Sequence, residues 1–106
     1  MAWILLISAG ILETCFAVAL NASEGFTKPI PTVIFAVCAI ASFALLNLAL
    51  RDLPVGTAYA VWTGIGAAGT ATVGMIALDE PTDVLRIGAI VLIITGAIGL
   101  QAVESH

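Results

Sequence analysis

The chain has 106 residues, of which 61% are hydrophobic and 9% charged, and its three basic and seven acidic residues leave a net charge of −4. Soluble domains carry about 25% charged residues, so a soluble fold of this composition lacks the polar surface to cover its core, and the apolar content excludes a disordered chain. A membrane protein remains: a spanning helix takes about 20 residues, so four spans use roughly 80 and leave no room for a soluble domain.

The first predicted span covers about residues 2–20 and ends in the polar stretch 21–29. It lacks the basic start of a cleaved signal segment, and Glu13 interrupts what would be its apolar centre. The second span covers about 31–50 and stops at Arg51-Asp52. The third covers about 54–78 and stops at Asp79-Glu80. The fourth covers about 83–103, before a short Glu104-Ser105-His106 tail. Pro29, Pro31, Pro54 and Pro81 all fall at or just before a helix start, where a missing N–H costs nothing and the fixed φ suits the first turn. Thr82 or Asp83 is the expected N-cap of the last helix. The fold class is therefore all-α: one domain, residues 1–106, with four transmembrane helices and no linker or repeat.

Cys15 and Cys38 lie in different spans and read as buried free thiols that pack as small apolar groups. The only histidine is His106, and no ligand cluster exists, so neither a metal nor a haem is expected. Lys and Arg near span ends set orientation. Lys28 and Arg86 share one side with the first and third loops, and Arg51 shares the other with both termini. So small a bias permits two outcomes: insertion mainly one way, or insertion both ways with an antiparallel dimer.

Glu13 is the only ionisable residue deep inside a span. A charged side chain there costs about 2.5–3.5 kcal/mol on insertion scales, and such residues face a cavity and bind a proton, an ion or a substrate. The plainer alternative is a protonated Glu hydrogen-bonded to a neighbouring helix. A carboxyl in a poorly hydrated site holds either a proton or a cation, which is the exclusivity that an exchanger requires. Leu6, Ala9, Gly10, Glu13, Phe16, Ala17 and Leu20 recur at helical spacing and share its face. Gly10 and the alanines leave space there, and Phe16 offers a ring; ordinary packing explains the alanines equally well.

Tyr59 and Trp62 stand three residues apart, roughly 7–13 Å into the third span. Their rings suit a cation, and their O–H and N–H groups suit a carboxylate. Ser42, midway along the second span, is a third polar partner for Glu13, unless it bonds its own helix carbonyl. Gly56, Ala60, Gly64 and Ala68 place a small residue at every fourth position, which permits close helix approach in lipid. Gly64 and Gly66, with Gly69 and Gly74, also weaken the helix, so a bend and simple packing are both open. The fourth span has Gly88, Gly96 and Gly99 and no internal charge apart from Arg86 near its start, which suits a packing or dimerisation helix. Four short helices with one carboxylate make too thin a bundle to enclose a pathway. Transporters place the site between two repeats of opposite topology, and a second, antiparallel copy supplies the missing one.

The residues Gly10-Ile11-Leu12-Glu13, the loop Glu24-Gly25-Phe26-Thr27-Lys28 and the run from Leu53 through Tyr59, Trp62 and Gly64 to Gly66 carry a resemblance over the whole chain. The chain resembles the small multidrug resistance family, and its Trp-Thr-Gly-Ile-Gly-Ala segment is most similar to the guanidinium-exporter branch. The resemblance implies an antiparallel dual-topology dimer that exchanges protons for small organic cations across a bacterial inner membrane. It implies that Glu13 is the shared proton and substrate site, with Gly10, Phe16, Ser42, Tyr59 and Trp62 around it and Gly96 and Gly99 of the fourth helix at the dimer contact. That branch usually has Trp at the position of Phe16, and the family often has Lys at the position of Asn21. A phenyl ring cannot donate to a carboxylate, so the departure at Phe16 favours more apolar cations.

The expected function is proton-coupled export of guanidinium or substituted guanidinium ions. One alternative keeps the fold and exports hydrophobic quaternary ammonium drugs. Another is a non-transporting membrane subunit, or half of a heterodimeric transporter built with a paired family subunit. The expected partners are protons, the organic cation, the bilayer and a second chain, with no cofactor, no nucleic acid and no enzymatic activity.

Overall fold

The computed structural model describes residues 1–104, so the Ser105-His106 end of the expected tail lies outside the described residues. Among the described residues four helices follow in chain order: α1 (Ala2–Ala22), α2 (Pro29–Ala49), α3 (Val55–Ala77) and α4 (Val84–Glu104). Each expected span is a helix, with ends within two residues of the expected ones. At 21 to 23 residues and 1.5 Å per residue, each is about 31–35 Å long, enough to cross the hydrocarbon core of a bilayer. All four are apolar enough to span.

Local chemistry explains the breaks. Ser23 ends α1: its hydroxyl donates to the Leu20 carbonyl at 2.7 Å and accepts the Phe26 N–H at 3.2 Å. Glu24, Gly25 and Phe26 then turn the chain through positive φ. Lys28 is extended, as the residue before a proline prefers, and Pro29 opens α2 at its first position. Pro54 precedes α3. Asp79 stops α3 by taking φ +56°, and the Glu80 N–H folds back onto the Gly74 carbonyl at 3.1 Å. Asp83 opens α4 through its backbone, accepting the Ile87 N–H at 3.1 Å, while its carboxylate faces Arg86 at 3.8 Å.

The helix α1 is the centre of the bundle, packed on α2 and on α3, and α4 packs chiefly on α3. Leu6, Ala9, Ala49, Ala58, Val61 and Trp62 form the buried core. Small residues set the α1–α3 spacing. A Cβ on Gly10 would lie 2.7 Å from Ile65 Cγ2, so only glycine admits Ile65 at that depth. The molecule measures 45 × 34 × 17 Å. Its thin dimension is less than two helix diameters of about 10–12 Å, so one chain forms a slab that cannot surround a pathway.

The expected inward face of α1 holds for Leu6, Ala9 and Gly10, which are buried, and for Glu13, Phe16 and Ala17, which are partly so; Leu20 is exposed. Cys15 corrects the reading of two buried thiols: it is exposed and only Cys38 is partly covered. Cys15 lines an open groove with Pro31 and Ile34 of α2 and Val73 of α3.

Candidate functional site

Glu13 reaches across to α3. Its carboxylate rests against the backbone of Gly66, so closely that a Cβ there would overlap Oε1, Cδ and Cγ together. Next to it the Thr14 hydroxyl lies 3.4 Å from both the Gly66 carbonyl and the Gly10 carbonyl of its own helix, and a Cβ on Gly69 would overlap Thr14 Oγ1. Glycines thus make the seat in which a carboxylate fits between two helices. Glu13 Oε1 is buried and has no hydrogen-bond partner among the described residues. That is an expensive state for an oxygen in a low-dielectric interior, since buried polar groups are paired as a rule.

The carboxylate lines a cavity of about 470 Å³ together with Ala17, Asn21, Gly66, Thr70, Glu80 and Arg86. The cavity runs from Glu13 between α1 and α3 to the loop that precedes α4. Asn21, Thr70, Glu80 and Arg86 were not expected to share a space with Glu13. Glu80 is far from it in sequence, and only the α3–α4 turn at Asp79 brings it back over Gly74.

The other expected pocket residues assemble elsewhere. Ser42 and Trp62 are both buried. The Ser42 hydroxyl donates to the Ala9 carbonyl of α1 at 2.6 Å and accepts the Trp62 indole N–H at 3.0 Å. Ser42 therefore bonds neither Glu13 nor its own helix: it ties α2 to α1 and α3. Trp62 packs on Phe43 and on Tyr59 with ring centroids 5.6 Å apart. Phe16 sits edge-on to Phe35 at 5.8 Å and beside Phe43 at 6.0 Å. Glu13 thus faces α3 while Phe16, one turn along, faces α2. In this single chain Ser42 and Trp62 satisfy each other instead of Glu13, because a lone N–H or hydroxyl in an apolar interior takes the nearest partner.

Tyr59 is 58% exposed and opens, with Gly64 and Gly96, onto a groove between α3 and α4. The helix α3 runs unbroken through Gly64 and Gly66, and both glycines are contact positions: Gly66 for Glu13 and Gly64 for Ile93 of α4, where a Cβ would meet Ile93 Cγ2 at 3.3 Å. Gly10 faces Ile65. Gly96 and Gly99 are exposed, with open space where a Cβ would stand.

Comparison with known proteins adds three findings. The family profile described as Small Multidrug Resistance protein matches residues 1–93. A guanidinium exporter of Escherichia coli (strain K12) is 48% identical over 101 residues, covering 95% of this chain and 96% of that protein. A guanidinium exporter of Yersinia pseudotuberculosis is 50% identical over 101 residues, covering 95% of this chain and 97% of that protein.

Proposed function

Because the chain belongs to the small multidrug resistance family, we propose that it is a proton-coupled exporter of guanidinium or substituted guanidinium ions in a bacterial inner membrane, working as an antiparallel dual-topology dimer. The observation that carries this reading is a carboxylate oxygen within a membrane span, Glu13 Oε1, buried and without a partner among the described residues. Such a group is satisfied by a proton or by a cation. It does not serve both, because the proton removes the charge that holds the cation. Export follows from that exclusion: the cation binds once the proton has left, and a proton arriving from the other side displaces the cation. A guanidinium ion matches a carboxylate well, since its planar N–H donors bond both oxygens. The relatives at 48% and 50% identity, both named guanidinium exporters, support that substrate class.

The second chain answers the 17 Å thickness of the first. Two copies of opposite topology place the site between inverted repeats. In the dimer Gly10, Phe16, Ser42, Tyr59 and Trp62 wall the substrate pocket, and Gly96 and Gly99 of α4 lie at the contact. The test is uptake into proteoliposomes. Guanidinium flux driven by a proton gradient, and lost in Glu13→Gln, is the expected result. If neither guanidinium nor its alkyl derivatives show Glu13-dependent, proton-coupled movement, the reading is wrong.

One observation favours a broader substrate range. Phe16 packs among Phe35 and Phe43, an all-carbon wall with no donor for a polar ligand. Hydrophobic quaternary ammonium ions suit that wall. A competition series from guanidinium through alkyl guanidinium to bulky quaternary ammonium ions ranks the two classes directly.

A further inference from the structure

The cavity that holds Glu13 has a second carboxylate at its other end. Glu80 lines the same 470 Å³ space, and its side chain lies against the backbone of Gly74, where a Cβ would overlap Oε1 and Cδ. Gly74 thus seats Glu80 as Gly66 seats Glu13. The two glycines are eight residues apart on α3, so the two carboxylates stand about 12 Å apart along the helix at 1.5 Å per residue. Glu13 is partly buried and Glu80 is exposed, which makes Glu80 the water-facing end.

Charge at this end favours a cation. Arg86 also lines the cavity, yet its guanidinium is paired with Asp83 at 3.8 Å. Among the described residues Glu80 is in neither of the ion pairs, which are Lys28–Glu24 and Arg86–Asp83. The segment 79–86 holds three acidic residues, Asp79, Glu80 and Asp83, and one basic, Arg86, a net −2. Of the charged groups that line the cavity itself, two are carboxylates, Glu13 and Glu80, and one is the guanidinium of Arg86, and an excess of one sign of charge in a cleft concentrates the opposite ion and raises its rate of arrival. Asn21, on the same wall, adds an amide oxygen that accepts N–H donors.

We propose that Glu80 is an outer cation site for the exported ion: at the cavity mouth it captures the organic cation on its way to or from Glu13, so that the ion sheds its water in two stages. This rests on the exporter reading above. In an antiparallel dimer each face of the membrane receives one such mouth, so a single substitution acts on both uptake and release.

The experiment is guanidinium flux in proteoliposomes for the wild type, Glu80→Gln, Glu80→Asp, Gly74→Ala and Glu13→Gln, at low and high salt. At low salt Glu80→Gln raises KM about fivefold, with a smaller fall in maximal rate, and at high salt the difference shrinks below about twofold, because screening removes the attraction. Glu80→Asp keeps the charge and stays within about twofold of the wild type. Gly74→Ala, whose methyl displaces the carboxylate, behaves like Glu80→Gln. Three results overturn the proposal. Unchanged KM in Glu80→Gln, with flux still dependent on Glu13, removes the outer site and leaves the exporter reading standing. Equal loss of maximal rate in Glu80→Gln and Glu80→Asp, with KM and salt dependence unmoved, makes Glu80 a structural loop residue. Absence of Glu13-dependent flux in the wild type removes both readings.

Discussion

Gly66→Ala tests the seat of Glu13 directly. The added methyl would overlap the Glu13 carboxylate, and Cγ would lie 2.7 Å from it. To reach an ordinary carbon–carbon contact of about 3.5 Å, Cγ must retreat by about 0.8 Å, and the carboxylate by more. Two responses are open. Either the Glu13 side chain rotates away, at about 0.5–1.5 kcal/mol for a poor rotamer, or α1 and α3 separate. Separation pulls Thr14 from the Gly66 carbonyl and Gly10 from Ile65 and carries the cost of overpacking, about 1–3 kcal/mol. Rotation is the easier response, because the clash involves the far end of a flexible side chain. The fold then survives while the carboxylate moves by about 1 Å, a displacement that costs on the order of 100-fold where geometry governs function. We expect transport efficiency for guanidinium to fall about 10- to 100-fold, with thermal unfolding of the purified protein little changed. Gly64→Ala is the control. Its methyl meets Ile93 Cγ2 at 3.3 Å and Ala97 Cβ at 4.0 Å, so Ile93 gives slightly and transport stays within about threefold. Unchanged transport in Gly66→Ala would refute the seating of Glu13 on α3. Equal damage in Gly64→Ala would refute the specific role of Gly66.

Ser42→Ala leaves the buried Trp62 N–H without its acceptor and should destabilise the protein by about 1–3 kcal/mol, read as a lower unfolding midpoint in detergent. Trp62→Tyr, which lacks the indole N–H while Ser42 still donates to Ala9, should cost less at the hydrogen bond. Gly96→Val meets nothing within 4 Å in the single chain. It should leave the unfolding midpoint of the isolated protomer unchanged and reduce the dimer fraction measured by cross-linking; an unchanged dimer fraction would place Gly96 against lipid.

The four spans were legible because lipid tolerates so few sequences: about 20 apolar residues, with charge and proline at the ends. Glu13 was legible as a carboxylate inside a span for the same reason, since a charge at that depth is costly and stands out. The grouping around it was less so. Helical spacing shows that Glu13 and Phe16 share one side of α1, but not that α3 lies against the first and α2 against the second. Ser42 was legible as a polar group in a span, while its partners, the Ala9 carbonyl and the Trp62 N–H, depend on how three helices meet. Gly66 reads as one of several glycines in α3, and its role appears only when Glu13 arrives across from it. Glu80 looked like ordinary punctuation after a span, because nothing local shows that Asp79 turns the chain back over Gly74.

The polar groups of the chain divide into a closed set and an open one. Ser42 and Trp62 complete each other's hydrogen bonds and join α1, α2 and α3 into a fixed unit. Glu13 Oε1 has no partner among the described residues, and Tyr59 is 58% exposed in a different cavity from the one that holds Glu13. Tyr59 and the Gly66 seat are seven residues apart on α3, about 10 Å along its axis. In the proposed exporter a cation at Glu13 would therefore meet the cavity lining of its own chain, and would meet a tyrosine ring only if another chain brought one. The closed set explains why one chain folds as a slab. The open set is what the proposed dimer would complete: each chain supplies a finished scaffold with an unfinished carboxylate, which a second copy and an ion would finish.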